Sequence, residues 1–135
     1  MKYILFTFLF VFSCTSQSDN YPTDLIDNNV QILVENNIFD FGEIVQGEII
    51  TAIFKISNPS SSDLIITNVS SSCGCTTSNL KKDLLKAGDE EIIEVTFNSE
   101  NKIGKQEKTV SLLTNATPNT TILTIKGNVI VPEKN

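Results

Sequence analysis

Two thiols one glycine apart stand in Ser72-Cys73-Gly74-Cys75-Thr76, near the middle of a 135-residue chain whose only other cysteine is Cys14. Sulfur at this spacing supports three chemistries. The first is a disulfide. Residues i and i+2 of an extended strand lie about 6.6 Å apart, near the upper limit for such a bond. Gly74 would let the backbone tighten and bring the sulfurs together. The loop so closed is tiny, so its entropic contribution to stability is small. The second is soft-metal binding: two thiolates suit copper as Cu(I), whereas zinc takes four ligands and would need a dimer to supply them. The third is thiol–disulfide exchange, since a short-loop disulfide is relatively oxidising. Lys81 and Lys82 are the candidate cations for stabilising a thiolate, and no thioredoxin-like βαβ pattern accompanies the motif.

The rest of the composition narrows the field. The chain has no His and no Trp, and its one Met is the first residue. Without His a Ser-His-Asp triad cannot be built, and the commonest metal ligand and near-neutral proton carrier is missing. No enzymatic activity is expected, and no catalytic residues are assigned. Acidic residues outnumber lysines 16 to 10, arginine is absent and the net charge is −6. Nothing here would neutralise a run of phosphates, so no nucleic-acid partner is expected. Asp89-Glu90-Glu91 lacks the spacing of a calcium loop and reads as a solvated turn.

The elements that must hold Cys73 and Cys75 are strands. From Val30 onward apolar residues recur with a period of two. Ile50, Ala52, Phe54 and Ile56 alternate with Thr51, Lys55 and Ser57, and Asn58-Pro59-Ser60 then breaks the run. Leu64 to Val69 leads directly into the cysteine turn. Ile93, Val95 and Phe97 give another alternating strand, then come Val110 and Leu112, and finally Leu123, Ile125, Val129 and Val131 with Gly127 at a bulge. Leu84 to Asp89 and Asn98 to Gln106 read as loops. About seven strands separated by turn signals predict an all-β immunoglobulin-like β-sandwich, with a small β-barrel as the alternative. Ile49-Ile50 and Ile92-Ile93 each place one Ile on a face that otherwise reads polar, a candidate partner surface.

The N-terminus reads as an address. Met1-Lys2 is followed by ten mostly apolar residues, Tyr3 to Phe12, too few to span a bilayer as a helix, and then by Ser13-Cys14. Val11-Phe12-Ser13-Cys14 resembles a bacterial lipoprotein box. Residues 1–13 are accordingly expected to be a signal peptide and Cys14 the lipidated residue. Each buried methylene contributes about 0.8 kcal/mol, so several acyl chains anchor a protein firmly. Residues 14–29 are polar and read as a tether, with the domain at 30–135. By analogy with lipoprotein sorting, Thr15-Ser16 after the cysteine points to the outer membrane. The membrane partner is thus reached through the anchor.

With these residues placed, the domain resembles the bacterial domain-of-unknown-function family 1573 from Ile38 to about Val129. The shared phrases are Phe41-Gly42-Glu43 to Gly47-Glu48, Phe54-Lys55-Ile56-Ser57-Asn58, Ser72-Cys73-Gly74-Cys75-Thr76, and Ile125-Lys126-Gly127-Asn128-Val129. The resemblance implies an immunoglobulin-like fold like that of ciliary and centrosomal scaffold modules, often secreted or lipid-anchored, with no assigned activity or cofactor. The function expected is a lipid-anchored module of the cell envelope that binds a protein or another envelope component, with metal binding or thiol exchange at Cys73 and Cys75 as the alternative.

Overall fold

The computed structural model describes residues 29–131. The signal peptide, Cys14 and all but the last residue of the tether lie outside the described residues. Nine strands form: β1 (Leu33–Val34), β2 (Ile38–Val45), β3 (Ile49–Ser57), β4 (Leu64–Ser71), β5 (Thr76–Leu80), β6 (Leu84–Leu85), β7 (Glu90–Asn98), β8 (Gly104–Thr114) and β9 (Thr120–Ile130). They make two sheets, ordered β1-β3-β7-β5 and β2-β9-β8-β4-β6. All neighbours are antiparallel except β2 and β9. Two separate sheets make a sandwich, not a closed barrel.

The period-two pattern places the core. Ala52, Phe54 and Ile56 of β3 and Ile93, Val95 and Phe97 of β7 face inward from one sheet. Leu64, Ile66, Val110, Leu112, Leu123, Ile125 and Val129 face them from the other. All are buried because successive side chains of a strand point to opposite faces. Phe41 of β2 reaches across to stack on Phe97, with ring centroids 5.7 Å apart, and so links the two layers. Asn58, which ends β3, is buried yet fully engaged. Its Nδ2 donates to the carbonyls of Ser62 and Leu85, and its Oδ1 accepts from the Ser60 N–H. Burying an amide is tolerable only when its hydrogen bonds are made.

Several expectations are corrected. Gly104, Lys105 and Gln106 belong to β8 instead of a loop, because they pair with Val129, Asn128 and Gly127. Leu84 and Leu85 form a two-residue strand against Leu64 and Ile65. Val131 lies beyond β9 and is exposed, so it adds nothing to the core. The register shift sits not on the strand of Gly127 but on its partner, between Asp40 and Glu43 of β2. Gly127 is needed for space: a Cβ there would run into the Phe41 ring and come within 2.7 Å of the Gly42 carbonyl oxygen.

The strand pairings fix two poles. The described chain enters at one, where the Val30 carbonyl accepts from the Thr117 N–H in the β8–β9 turn. The β2–β3 turn, the β7–β8 loop and the end of β9 gather at the other: Gln46 donates its N–H to the Ile130 carbonyl, and Ser99 donates its N–H to the Glu48 carbonyl.

Candidate functional site

The cysteine turn belongs to the pole opposite the chain's entry. It is the crossing from β4, in one sheet, to β5, in the other. Backbone hydrogen bonds clamp it on both sides. The Ser72 N–H donates to the Thr109 carbonyl and the Thr109 N–H to Ser72 Oγ, tying it to β8. The Asn98 N–H donates to the Cys75 carbonyl, tying it to the end of β7. Within the turn the Thr76 N–H donates to the Cys73 carbonyl at 3.2 Å.

A disulfide joins Cys73 and Cys75, with their Cα atoms 5.3 Å apart. That is shorter than an extended strand allows, and the turn closed by Thr76 accounts for the approach. Gly74 does not tighten the backbone through a left-handed conformation, and a Cβ at this position would meet nothing within 4 Å. What glycine leaves is open space beside the sulfurs. Both cysteines are half-buried, whereas Thr76 is buried. The Thr76 hydroxyl lies 3.5 Å from Cys73 Sγ and 3.9 Å from Cys75 Sγ. Bonded sulfurs carry no hydrogen, so the hydroxyl is the donor.

A shallow groove runs past the turn, lined by Ile49, Gly74, Cys75, Thr77, Asn98 and Glu100, among others. Just after β7, the buried Ser99 ties in the β2–β3 turn: its hydroxyl donates to the Glu48 carbonyl at 2.7 Å and accepts from the Gly47 N–H at 3.0 Å. In the sequence Thr76 belongs to the cysteine motif and Ser99 to a loop, and neither is assigned a role there. For Thr76 the only signal is a hydroxyl at an inward-facing strand position, which ordinary strands also carry, and Ser99 lies just past the end of β7 with no such signal. Lys81 and Lys82 are not brought to the sulfurs. They follow β5, five and six residues beyond Thr76, so the strand carries them roughly 17 Å or more away. Among the described residues no three His, Cys, Asp or Glu side chains gather as a metal site would require.

A second feature lies on the outer face of the β1-β3-β7-β5 sheet. There Ile49 and Ile53 of β3 are 63% and 62% exposed, with Ile92 of β7 beside them. Among the described residues, β1 pairs with Ser57 and Ile56 alone, and Glu35 adds one hydrogen bond to the Lys55 carbonyl. From Ile49 to Phe54, β3 is hydrogen-bonded to β7 alone among the described residues. Since Lys55 points its carbonyl towards β1, strand alternation aims the N–H and C=O groups of Thr51 and Ile53 at the same open edge.

Two sheets in this arrangement define an immunoglobulin-like β-sandwich, and solved structures share it. A protein of unknown function from Porphyromonas gingivalis W83 superposes with a TM-score of 0.67 at 16% identity, over 81% of this chain. The chain spans about half of that protein, 51% of its length. The ASH / PapD-like domain 7 of human CEP192 gives 0.64 at 13% identity, over 78% of this chain and 89% of that one. VesB protease of Vibrio cholerae gives 0.57 at 14% identity, over 76% of this chain but only 32% of the protease. These likenesses show the fold alone. No curated protein matches the chain. The family model described as protein of unknown function DUF1573 matches residues 32–129, and the chain belongs to that family.

Proposed function

We propose that the protein is a non-enzymatic binding module of the bacterial cell envelope, anchored by lipid on Cys14, that recruits a protein partner along the open edge of β3. The observation that carries this reading is the conjunction at Ile49–Phe54 of unpaired backbone groups with two exposed isoleucines. An extended segment added there gains main-chain hydrogen bonds, while Ile49 and Ile53 offer apolar contacts to its alternate side chains. The outer face around them carries Glu35, Glu90 and Glu94, and Lys55 there is paired with Glu90 at 3.0 Å. The partner strand favoured is therefore apolar and basic, and two acidic copies of this chain would repel each other.

The test is site-specific photocrosslinking in intact cells of the native host. A photoreactive residue at position 53 should give a discrete crosslinked protein, absent with the probe at position 126 on the opposite sheet and lost when Ile49 is replaced by lysine. Equal yields at both positions would sink the proposal. Cys14→Ser should release the protein from membranes, and intact mass should show acyl chains on Cys14 of the native form. Unchanged membrane retention would refute the anchor.

A further inference from the structure

We propose that the Cys73–Cys75 disulfide is a thiol–disulfide exchange site, in which Cys75 Sγ is attacked, Cys73 leaves and the Thr76 hydroxyl holds the departing thiolate. The bond has little structural work. It closes a loop of three residues, and the turn is already clamped by Ser72, Thr109, Asn98 and Thr76 through backbone hydrogen bonds. Breaking it therefore leaves both sulfurs in place, ready to re-form it.

Access and polarity assign the two sulfurs different roles. Cys75 lines the groove beside Gly74 and Ile49. Gly74 is exposed and leaves space where any other residue would put a Cβ. A nucleophile arriving along the groove meets Cys75 first. Cys73 Sγ is the sulfur nearer the buried Thr76 hydroxyl, at 3.5 Å against 3.9 Å. Among the described residues that hydroxyl hydrogen-bonds only to these two sulfurs, which are weak acceptors while bonded. A thiolate is a far stronger acceptor, so the hydroxyl interacts best with the product of attack.

The partner is a polypeptide bearing two cysteine thiols, lying extended past Ile49. Its first thiolate attacks Cys75 Sγ and forms a mixed disulfide. The Cys73–Cys75 bond breaks and its electron pair leaves on Cys73, which becomes the thiolate held by Thr76. The partner's second thiolate then attacks its own sulfur in the mixed disulfide, and the electron pair of that bond leaves on Cys75. Both cysteines take up the protons the partner's thiols gave up. Two electrons pass from the partner, now a disulfide, to the cysteine pair, and attack in the reverse direction regenerates the start.

The full chain carrying Cys14→Ser, purified in detergent and oxidised, tests this with a synthetic octapeptide bearing two cysteines as the thiol probe. Acid quenching followed by mass mapping should place the trapped peptide on Cys75. Thr76→Val should slow exchange about tenfold, the effect of losing one hydrogen bond to a charged group, while Thr76→Ser stays within about threefold of the parent. Gly74→Val should slow it by shielding Cys75, with an unchanged far-UV spectrum and melting temperature. Peptide trapped on Cys73, Thr76→Val or Gly74→Val reacting as fast as the parent, or a parent no faster than oxidised glutathione would each overturn the proposal. None of these variants alters β3, so partner capture along its edge, read by crosslinking from position 53, stands or falls separately.

Discussion

The two long sheet edges are built in opposite ways. β2, at the edge of the five-stranded sheet, is broken by a register shift between Asp40 and Glu43, with Gly42 at a φ of 69° and its N–H bonded to Asp40 Oδ1. Charged and polar groups crowd its outer face: Asp40 pairs across with Lys126, and Glu43 accepts from Asn128 Nδ2 at 3.1 Å. β3 pairs with β7 through nine consecutive residues without a shift, and no charge interrupts its outer face from Ile49 to Ile53. Bulges and charges keep an edge from adding strands, and a flat apolar edge invites them. One domain has blunted one edge and left the other open. That difference locates the binding surface more sharply than exposure alone, since thirteen large hydrophobic residues are exposed in the described domain and many belong to neither edge.

The largest expected effect breaks the blunted side. Gly127→Val should lower stability by about 3 kcal/mol, because the Phe41 ring and the Gly42 carbonyl have nowhere to go. Chemical denaturation reads this, and adding Phe41→Ala should return part of the loss. A Gly127→Val protein as stable as its parent would mean that β2 is not held against β9 through this close approach. Next comes the turn between the sheets. Cys73→Ser with Cys75→Ser should lower stability by only about 1–2 kcal/mol, as a three-residue loop warrants. A larger drop would make the bond structural and weaken its assignment to exchange.

The open edge should tolerate what the closed one does not. Thr51→Pro removes an N–H that faces no strand, and Ile53→Lys places a charge in solvent. The first should lower stability by less than about 1 kcal/mol and the second by less than about 0.5 kcal/mol. Both should abolish crosslinking through the edge. If either unfolds the domain, β3 is not free. The smallest effect is electrostatic. A hydrogen bond to Glu90, then that carboxylate's charge, hold Lys55 above its ordinary value of 10.5. A raised lysine pKa contributes stability that is fully present below 10.5 and is lost as pH climbs through the folded value. Lys55→Met should therefore flatten the fall in stability above pH 10.5, measured by thermal melts across that range.

What the sequence made legible follows from burial on one face. β3 and β7 alternate apolar and polar residues because only one side meets the core, and their buried residues were found from period alone. β9 kept its phase through Leu123, Ile125 and Val129 for the same reason. β5 was missed because Thr76-Thr77-Ser78-Asn79-Leu80 is an edge strand whose inward positions are mostly hydroxyls. β6 was missed because two residues carry no period. Gly127 was noticed but its partner was not, since a close approach between Phe41 and Gly127 joins residues far apart in the chain. The cysteines announced themselves by type and spacing, but the hydroxyl beside them is an ordinary threonine until the fold brings it there.

The parallel pairing of β2 with β9 has a mechanical consequence. The described chain enters at one pole, next to the β8–β9 turn, and leaves at the other, where the Ile130 carbonyl accepts from the Gln46 N–H. Tension applied between Val30 and Val131 would draw β2 and β9 past one another along their length. The ladder from Ile38–Thr124 to Val45–Ile130 is then loaded in shear, with its hydrogen bonds sharing the force and not opening one at a time. Pulling single molecules from these two residues should need more force than pulling from Val30 and Gly74. A domain wired this way can bear a load between the two ends of its described chain.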